Sequence, residues 1–280
     1  MLKCPDCGSG IPDVVATCFT CGFYAGAPNV RSAATEEEVL EVRYQAALTR
    51  AKTVGTIAIV EKFEEAVRQT SAIINVDLNF LHFFVTNNRA LYANYEGGVS
   101  AGVRKPAEFY NDLRRRGVGG TLFGGYAGEI IYAALSMDGA GPVSYGPFAI
   151  KLKDIAVRNR ATVLETNSYE FVKKNNLSPG DPRPPGYLAS WSNRNKLAVA
   201  KLAEYITPAM RNEDFARLVL TSTGDRARDQ FIEVHLYGTF DLNAVESVRG
   251  PSKSISGDDR DLLRMVQKHL SNAGITWIGE

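Results

Sequence analysis

All four cysteines of the chain lie in its first twenty-one residues, as Cys4-Pro-Asp-Cys7-Gly and Cys18-Phe-Thr-Cys21-Gly. Two C-x-x-C knuckles this close together can place four thiolates around one tetrahedral Zn²⁺. The glycine after each pair suits a tight turn with φ > 0, which lets backbone N–H groups point at the sulfurs. The other use of such cysteines is two disulfides. That requires an oxidising compartment, and the absence of a recognisable signal peptide argues for zinc. A Cys4 shell leaves no open coordination position, so the expected metal is structural. A segment this short buries too little apolar surface to fold alone and takes its folding free energy from the metal. It reads as a docking module for nucleic acid or a partner protein. With few basic residues of its own, chiefly Lys3, it does not grip phosphate strongly by itself.

A second set of reactive side chains lies late in the chain. Phe231–Tyr237 alternates as a strand, with Ile232, Val234 and Leu236 on one side and Glu233 and His235 on the other. The bland reading of Glu233 and His235 is a polar pair on a solvated sheet face. The chain has only three histidines, His82, His235 and His269. No cysteine is left over as a nucleophile, and no G-x-S-x-G elbow, P-loop or dinucleotide G-x-G-x-x-G is present. Outside the cysteine pairs there is no Asp or His cluster with metal-ligand spacing. A strand glutamate, loop arginines and many tyrosines and asparagines remain, an inventory that suits cleavage of a glycosidic bond. The transition state is oxocarbenium-like, and a carboxylate beside the sugar stabilises it. With NAD⁺ as donor the leaving nicotinamide needs little acid help, and an arginine or histidine would hold the pyrophosphate or ribose.

The elements around these residues read as α+β. Residues 1–25 form the Cys4 ribbon and 26–34 a Gly/Ala/Pro-rich linker. Residues 35–280 form one α+β domain, helical over 35–75, with a core over 78–250 and a final helix and strand over 257–279. Thr35 followed by Glu36–Glu38 predicts a capping box, and Gly55 separates two helices. Phe148–Leu152 alternates as a half-buried strand, and Arg160–Ser168 reads as another. The Pro/Gly-rich stretch 178–187 is long enough for a substrate loop. Helices follow at about 195–205, 213–220 and 258–271. The whole predicts a mixed or antiparallel sheet with flanking helices. The formal charge of +1 announces no nucleic-acid binder. No apolar run reaches the eighteen or so residues of a membrane span, and the expected location is the cytoplasm.

The order of parts resembles the ADP-ribosyltransferase fold. It has an early polar residue (His82 or Arg104), a middle strand ending in Thr166-Asn167-Ser168, and a late strand carrying Glu233. Phe80-Leu81-His82-Phe83-Phe84-Val85-Thr86-Asn87-Asn88 is similar to the opening strand of DarT-type enzymes, which ADP-ribosylate DNA bases. The ribbon resembles those that begin many bacterial cytosolic proteins. The family's Glu or Gln two residues before the catalytic Glu is Phe231 here, which turns the expectation away from arginine side chains as acceptors. The serine-threonine-serine element is matched only by Thr166 and Ser168.

This resemblance implies Zn (structural) and NAD, a nucleic acid (DNA or RNA) as acceptor, and a toxin or phage-defence role with a possible antitoxin partner. It gives Glu233 the oxocarbenium ion and acceptor proton, Arg104 the pyrophosphate, Tyr145 a stack on nicotinamide, and Ser168 and Asn167 the ribose or amide. His235 would orient Glu233, and His82 would help hold NAD⁺. Two other readings stay open. One is a metal-independent ribonuclease-like toxin using Glu233, His235 and an arginine. The other is a zinc-ribbon adaptor without catalysis.

Overall fold

The computed structural model describes residues 1–87, 89–100, 102, 109–251 and 257–279 of the chain. Arg104 and Asn88 lie outside the described residues. The fold is mixed α+β.

The ribbon starts with a two-stranded hairpin, β1 (Leu2–Lys3) and β2 (Gly10–Ile11). Both knuckle glycines have positive φ, +74° at Gly8 and +80° at Gly22. Each donates its N–H to the carbonyl of the first cysteine of its pair, Cys4 and Cys18, at 2.9 Å. The expected linker is in part a helix, α1 (Pro28–Ala34), with proline at its start and Asn29 and Ala33 buried. Proline at the first helical position sacrifices only an N–H that would be unpaired anyway.

Two helices, α2 (Glu37–Thr53) and α3 (Ile57–Arg68), follow, with Gly55 at φ +76° between them. The capping box at Thr35 does not form. Its hydroxyl donates to Ser32 O, and Glu36 sits at the N-cap without a capping hydrogen bond. Strand β3 (Ser71–Val76) leads into α4 (Leu78–Thr86), capped by Asp77, whose side chain accepts from Phe80 N at 2.8 Å. The run containing His82 is thus helical, not the expected opening strand. Leu78, Leu81 and Val85 recur at helical spacing and are buried, as are Phe80 and Phe84.

Next come α5 (Tyr95–Ser100), α6 (Phe109–Phe123), a 3₁₀ turn (Gly124–Glu129), β4 (Ile130–Ser136), β5 (Phe148–Leu152), α7 (Asp154–Val157) and β6 (Ala161–Leu164). Then follow α8 (Ser168–Lys174), β7 (Leu188–Ser190), α9 (Arg194–Leu202), α10 (Phe215–Val219) and the small hairpin β8 (Leu220–Thr221) and β9 (Gln230–Phe231). The chain closes with β10 (Glu233–Tyr237), β11 (Val245–Gly250), α11 (Asp258–Asn272) and β12 (Thr276–Gly279). The strand expected over 160–168 stops at Leu164, and Ser168 opens a helix instead. Strand β5 is buried almost throughout rather than half-buried.

Eight strands form one sheet in the order β12-β11-β5-β3-β4-β10-β6-β7. Only β11–β12 is parallel. One face packs under α2, α3, α4, α9 and α11, with Phe63, Phe84, Phe148, Val163, Val234 and Leu236 among its buried side chains. A smaller apolar cluster on the opposite side joins Leu122, Phe123 and Tyr126 to Leu164, Phe171 and Leu188. No helix among the described residues is long and apolar enough to cross a membrane.

The 178–187 stretch, read as a substrate loop, is stapled down by two ion pairs. Arg183 pairs with Glu36, which also accepts from Gly186 N at 2.9 Å. Arg43 pairs with Glu165 at 2.8 Å, donates to Gly186 O and lies 3.7 Å from the centre of the Tyr187 ring. Glu36 is buried in this pair, and Arg183 is mostly so, with 11 % of its side chain exposed. Removing one partner of such a pair strands the other charge. Arg183→Met is expected to destabilise the fold by about 3–5 kcal/mol, read from the shift of the urea midpoint.

Candidate active site and metal centre

Strand β10 delivers the two residues singled out above. Val234 and Leu236 enter the apolar core on one side. Alternation sends Glu233 and His235 to the other, opposite Ala134 and Tyr132 of β4 and Leu164 and Thr162 of β6. The face is not solvated there. Glu233 is 5 % exposed and His235 0 %.

The Glu233 carboxylate is held asymmetrically. Oε2 accepts from Ser168 N at 2.8 Å, from the Ser168 hydroxyl, and from His235 Nε2 at 2.9 Å. Oε1 accepts only from Asn167 Nδ2, at 3.3 Å. Asn167 is the N-cap of α8 and its Oδ1 accepts from Tyr169 N, so the amide is oriented by the helix it caps. Its Nδ2 also lies 3.4 Å from the Tyr145 hydroxyl. Helix start, strand start and turn thus converge on one carboxylate.

His235 Nε2 faces both Glu233 Oε2 and, at 3.1 Å, the Ser168 oxygen. Nitrogen facing a carboxylate carries the proton. Nδ1 is buried without a partner. Phe123 and Tyr132 meet the imidazole edge-on, with centroids at 4.7 and 5.4 Å. This is not a nucleophile triad, in which serine and acid occupy opposite ring nitrogens. Here they share one nitrogen, and the serine hydroxyl donates to the acid.

Tyr132 was not foreseen as a site residue. It lies on a strand in the middle of the sheet, and 37 % of the residue stays exposed while its hydroxyl end is enclosed. Burial of its hydroxyl and then the Glu233 charge push its ionisation up. Tyr145 is raised for the same two reasons, in the same order. Tyr145 closes the 3₁₀ turn Val143–Tyr145. The following Gly146 has φ +147°, and a Cβ there would lie 2.3 Å from the Val76 carbonyl, so this turn lies hard against β3. The guanidinium of Arg226 sits 4.7 Å from the centre of the Tyr145 ring and donates to Ser144 O. Asp229 accepts from Ser144 Oγ, Ser222 Oγ and Thr223 N, tying the β8–β9 loop to the same turn.

The remaining expected site residues are elsewhere. His82 lies on α4, which packs against α11, and its Nε2 is buried without a partner. It makes no hydrogen bond to the Glu233 cluster. In the arginine triplet, Arg115 stacks on Tyr95 at 4.1 Å and Arg116 pairs with Glu96 at 3.2 Å. A half-open cleft of about 1000 Å³ is lined by Arg68, Thr70, Lys151, Arg158 and Arg194 among others. None of its lining residues belongs to the Glu233 cluster.

The four cysteines are positioned to hold a metal ion. Their sulfurs all lie within 4.8 Å of one another, with Cys4–Cys21 at 3.5 Å and Cys7–Cys18 at 3.7 Å. A disulfide needs about 2.05 Å, so no bridge is formed among them. A tetrahedron with Zn–S of about 2.3 Å has edges of about 3.8 Å, close to these two spacings. The Cys7 thiol is lowered to about 6, first by the Ser9 hydroxyl and then by the Ser9 N–H, while burial and the neighbouring sulfurs push Cys21 up to about 12.

No protein-family model matches the chain, and no curated protein matches it.

Tyr132, Phe123 and Arg226 were missed from sequence. Tyr132 sits in an apolar run, Ile130 to Ala134, where its hydroxyl was the one signal of a polar-facing position.

Proposed function

We propose that the chain is a NAD⁺-dependent ADP-ribosyltransferase with Glu233 as its catalytic carboxylate, a nucleic acid as acceptor and structural zinc in the ribbon. The supporting observation is the uneven grip on Glu233. Three donors immobilise Oε2 and leave Oε1 with one long contact, facing Asn167 and Tyr145. A carboxylate fixed in this way needs no reorganisation when positive charge develops on a neighbouring sugar.

In the reaction, the bond between ribose C1′ and the nicotinamide nitrogen breaks. Its electron pair goes to the pyridinium, which leaves neutral. A nitrogen or oxygen of the acceptor base bonds to C1′, and its proton passes to Glu233 Oε1. Asn167 and Tyr145 contact the sugar and ring, and Arg226 offers a cation beside the Tyr145 ring. The role of Arg104 at the pyrophosphate is part of the same proposal. Cys4, Cys7, Cys18 and Cys21 would hold zinc as a closed, non-catalytic site.

General acid–base cleavage of RNA is disfavoured by the position of His235. A fully buried imidazole with its proton committed to Glu233 cannot reach a phosphodiester. The deciding experiment is mass spectrometry of single-stranded DNA and RNA incubated with the protein and NAD⁺. Oligonucleotides gaining the mass of ADP-ribose are expected. Shortened oligonucleotides, or no change for any acceptor including protein, would reject the assignment.

A further inference from the structure

The cysteine ribbon reads from sequence as a detachable docking module, but its contacts point elsewhere. Three separate connections run from it to the strand carrying Glu233 and His235. The first goes through α1. Asn29, fully buried, donates its amide to His235 O at 2.9 Å, Arg160 O at 3.1 Å and Thr162 Oγ1 at 3.3 Å. Two residues on, Arg31 turns back into the ribbon. It donates to the carbonyls of Val15 at 2.8 Å, Asp13 at 3.0 Å and Pro12 at 3.4 Å, and to those of Ala25 and Gly26. The second connection is direct: Tyr237, at the end of β10, lies beside the backbone of Ala16 in the ribbon. The third runs behind the imidazole. A Cβ on Gly125 would lie 3.3 Å from Val14 Cγ1, and Phe123, two residues earlier, presses on the His235 ring.

We propose that the metal-bound ribbon is a brace for the Glu233–His235 strand, and that Asn29 is the positioning residue through which it acts. The chemistry of the link is ordinary. Without the metal, four thiols have nothing to hold two knuckles together, and the carbonyls that Arg31 grips lose their fixed arrangement. Asn29, which binds α1 to the His235 peptide, then loses its anchor. His235 fixes Oε2 of Glu233, so a displacement at residue 235 is passed to the carboxylate. The buried Asn29 Oδ1 has no hydrogen-bond partner among the described residues, an arrangement that holds where the surroundings over-determine the side chain. The inference concerns ribbon and strand only and does not rest on NAD⁺ being the substrate.

The chain's three histidines make the test direct. In full-length, ¹⁵N-histidine-labelled protein loaded with zinc, the imidazole signals of His82, His235 and His269 are recorded before and after chelation. The same spectra are taken for Arg31→Ala, which loosens the ribbon without touching the core or the cysteines. The expected result is that chelation shifts or broadens the His235 signals while those of His82 and His269 stay in place. Arg31→Ala should reproduce part of that change with one zinc still bound per chain. His235 signals that superimpose in all three samples would overturn the proposal. So would equal movement of all three histidines, since the ribbon would then support the whole fold rather than this strand. Asn29→Ala removes the donor without burying a charge, and should give the same selective change as Arg31→Ala.

Discussion

Glu233→Gln is expected to slow ADP-ribosyl transfer by about 10²–10³-fold while leaving the fold intact. The amide is nearly isosteric and can still accept from Ser168 N through its oxygen. What it loses is the negative charge, and in its place an NH₂ faces the reacting sugar. Loss of one preorganised electrostatic partner of a developing charge typically costs a factor of this size. The change should fall on kcat more than on KM, because the ground-state substrate carries no full cation at C1′ for the carboxylate to recognise. Single-turnover labelling of an oligonucleotide with NAD⁺, alongside a thermal melt, separates the chemical step from stability. A Glu233→Gln protein that transfers at the wild-type rate would remove this residue from the mechanism.

Cys18→Ser is expected to abolish stoichiometric metal binding and to lower the melting temperature markedly. Cys18 is one of the two buried members of the sulfur cluster, and its carbonyl also accepts from Gly22 N. Three ligands remain, but the closed tetrahedral shell is gone. Apparent free energies of structural zinc sites at neutral pH are about 10–16 kcal/mol, more than enough to account for the folding of residues 1–25. Only the part of that energy transmitted to the core appears in the global transition. A loss of about 3 kcal/mol there would lower Tm by roughly 6–12 °C for a chain of this size. Metal content by atomic emission and calorimetry report the two effects separately. A variant that keeps one tightly bound zinc and an unchanged melt would show that the four sulfurs do not act as one site.

The clustering of the four cysteines was legible in the sequence because it is written in local spacing: two cysteines three apart, twice, each pair followed by a glycine at positive φ. So was β10, since alternation over five residues fixes which side chains share a face. The sequence misled where tertiary partners override local pattern. Phe80–Val85 is apolar enough for a strand, but Asp77 caps it as a helix. Glu36 reads as a first-turn acid of a capping box, yet its carboxylate is claimed by Arg183, 147 residues later. Nothing in the composition of 26–34 marks Asn29 as a buried tie to residue 235, because an asparagine among Gly, Ala and Pro reads as a turn. Ser168 and Asn167 were expected at the end of a strand. They reach Glu233 because the strand stops at Leu164 and a short helix begins.

The placement of β10 between β4 and β6 has a bearing on how the protein matures. Until residues 233–237 have been made, β3, β4 and β5 can pair among themselves and β6 can pair with β7, but nothing joins the two groups into one sheet. The strand that bridges them is also the one that carries Glu233. On a ribosome, such long-range pairing comes late and slowly. Between the completion of β7 at residue 190 and of β10 at residue 237, the nascent chain can therefore hold two unlinked half-sheets and no assembled carboxylate cluster. The same step that closes the sheet brings the reactive group into place.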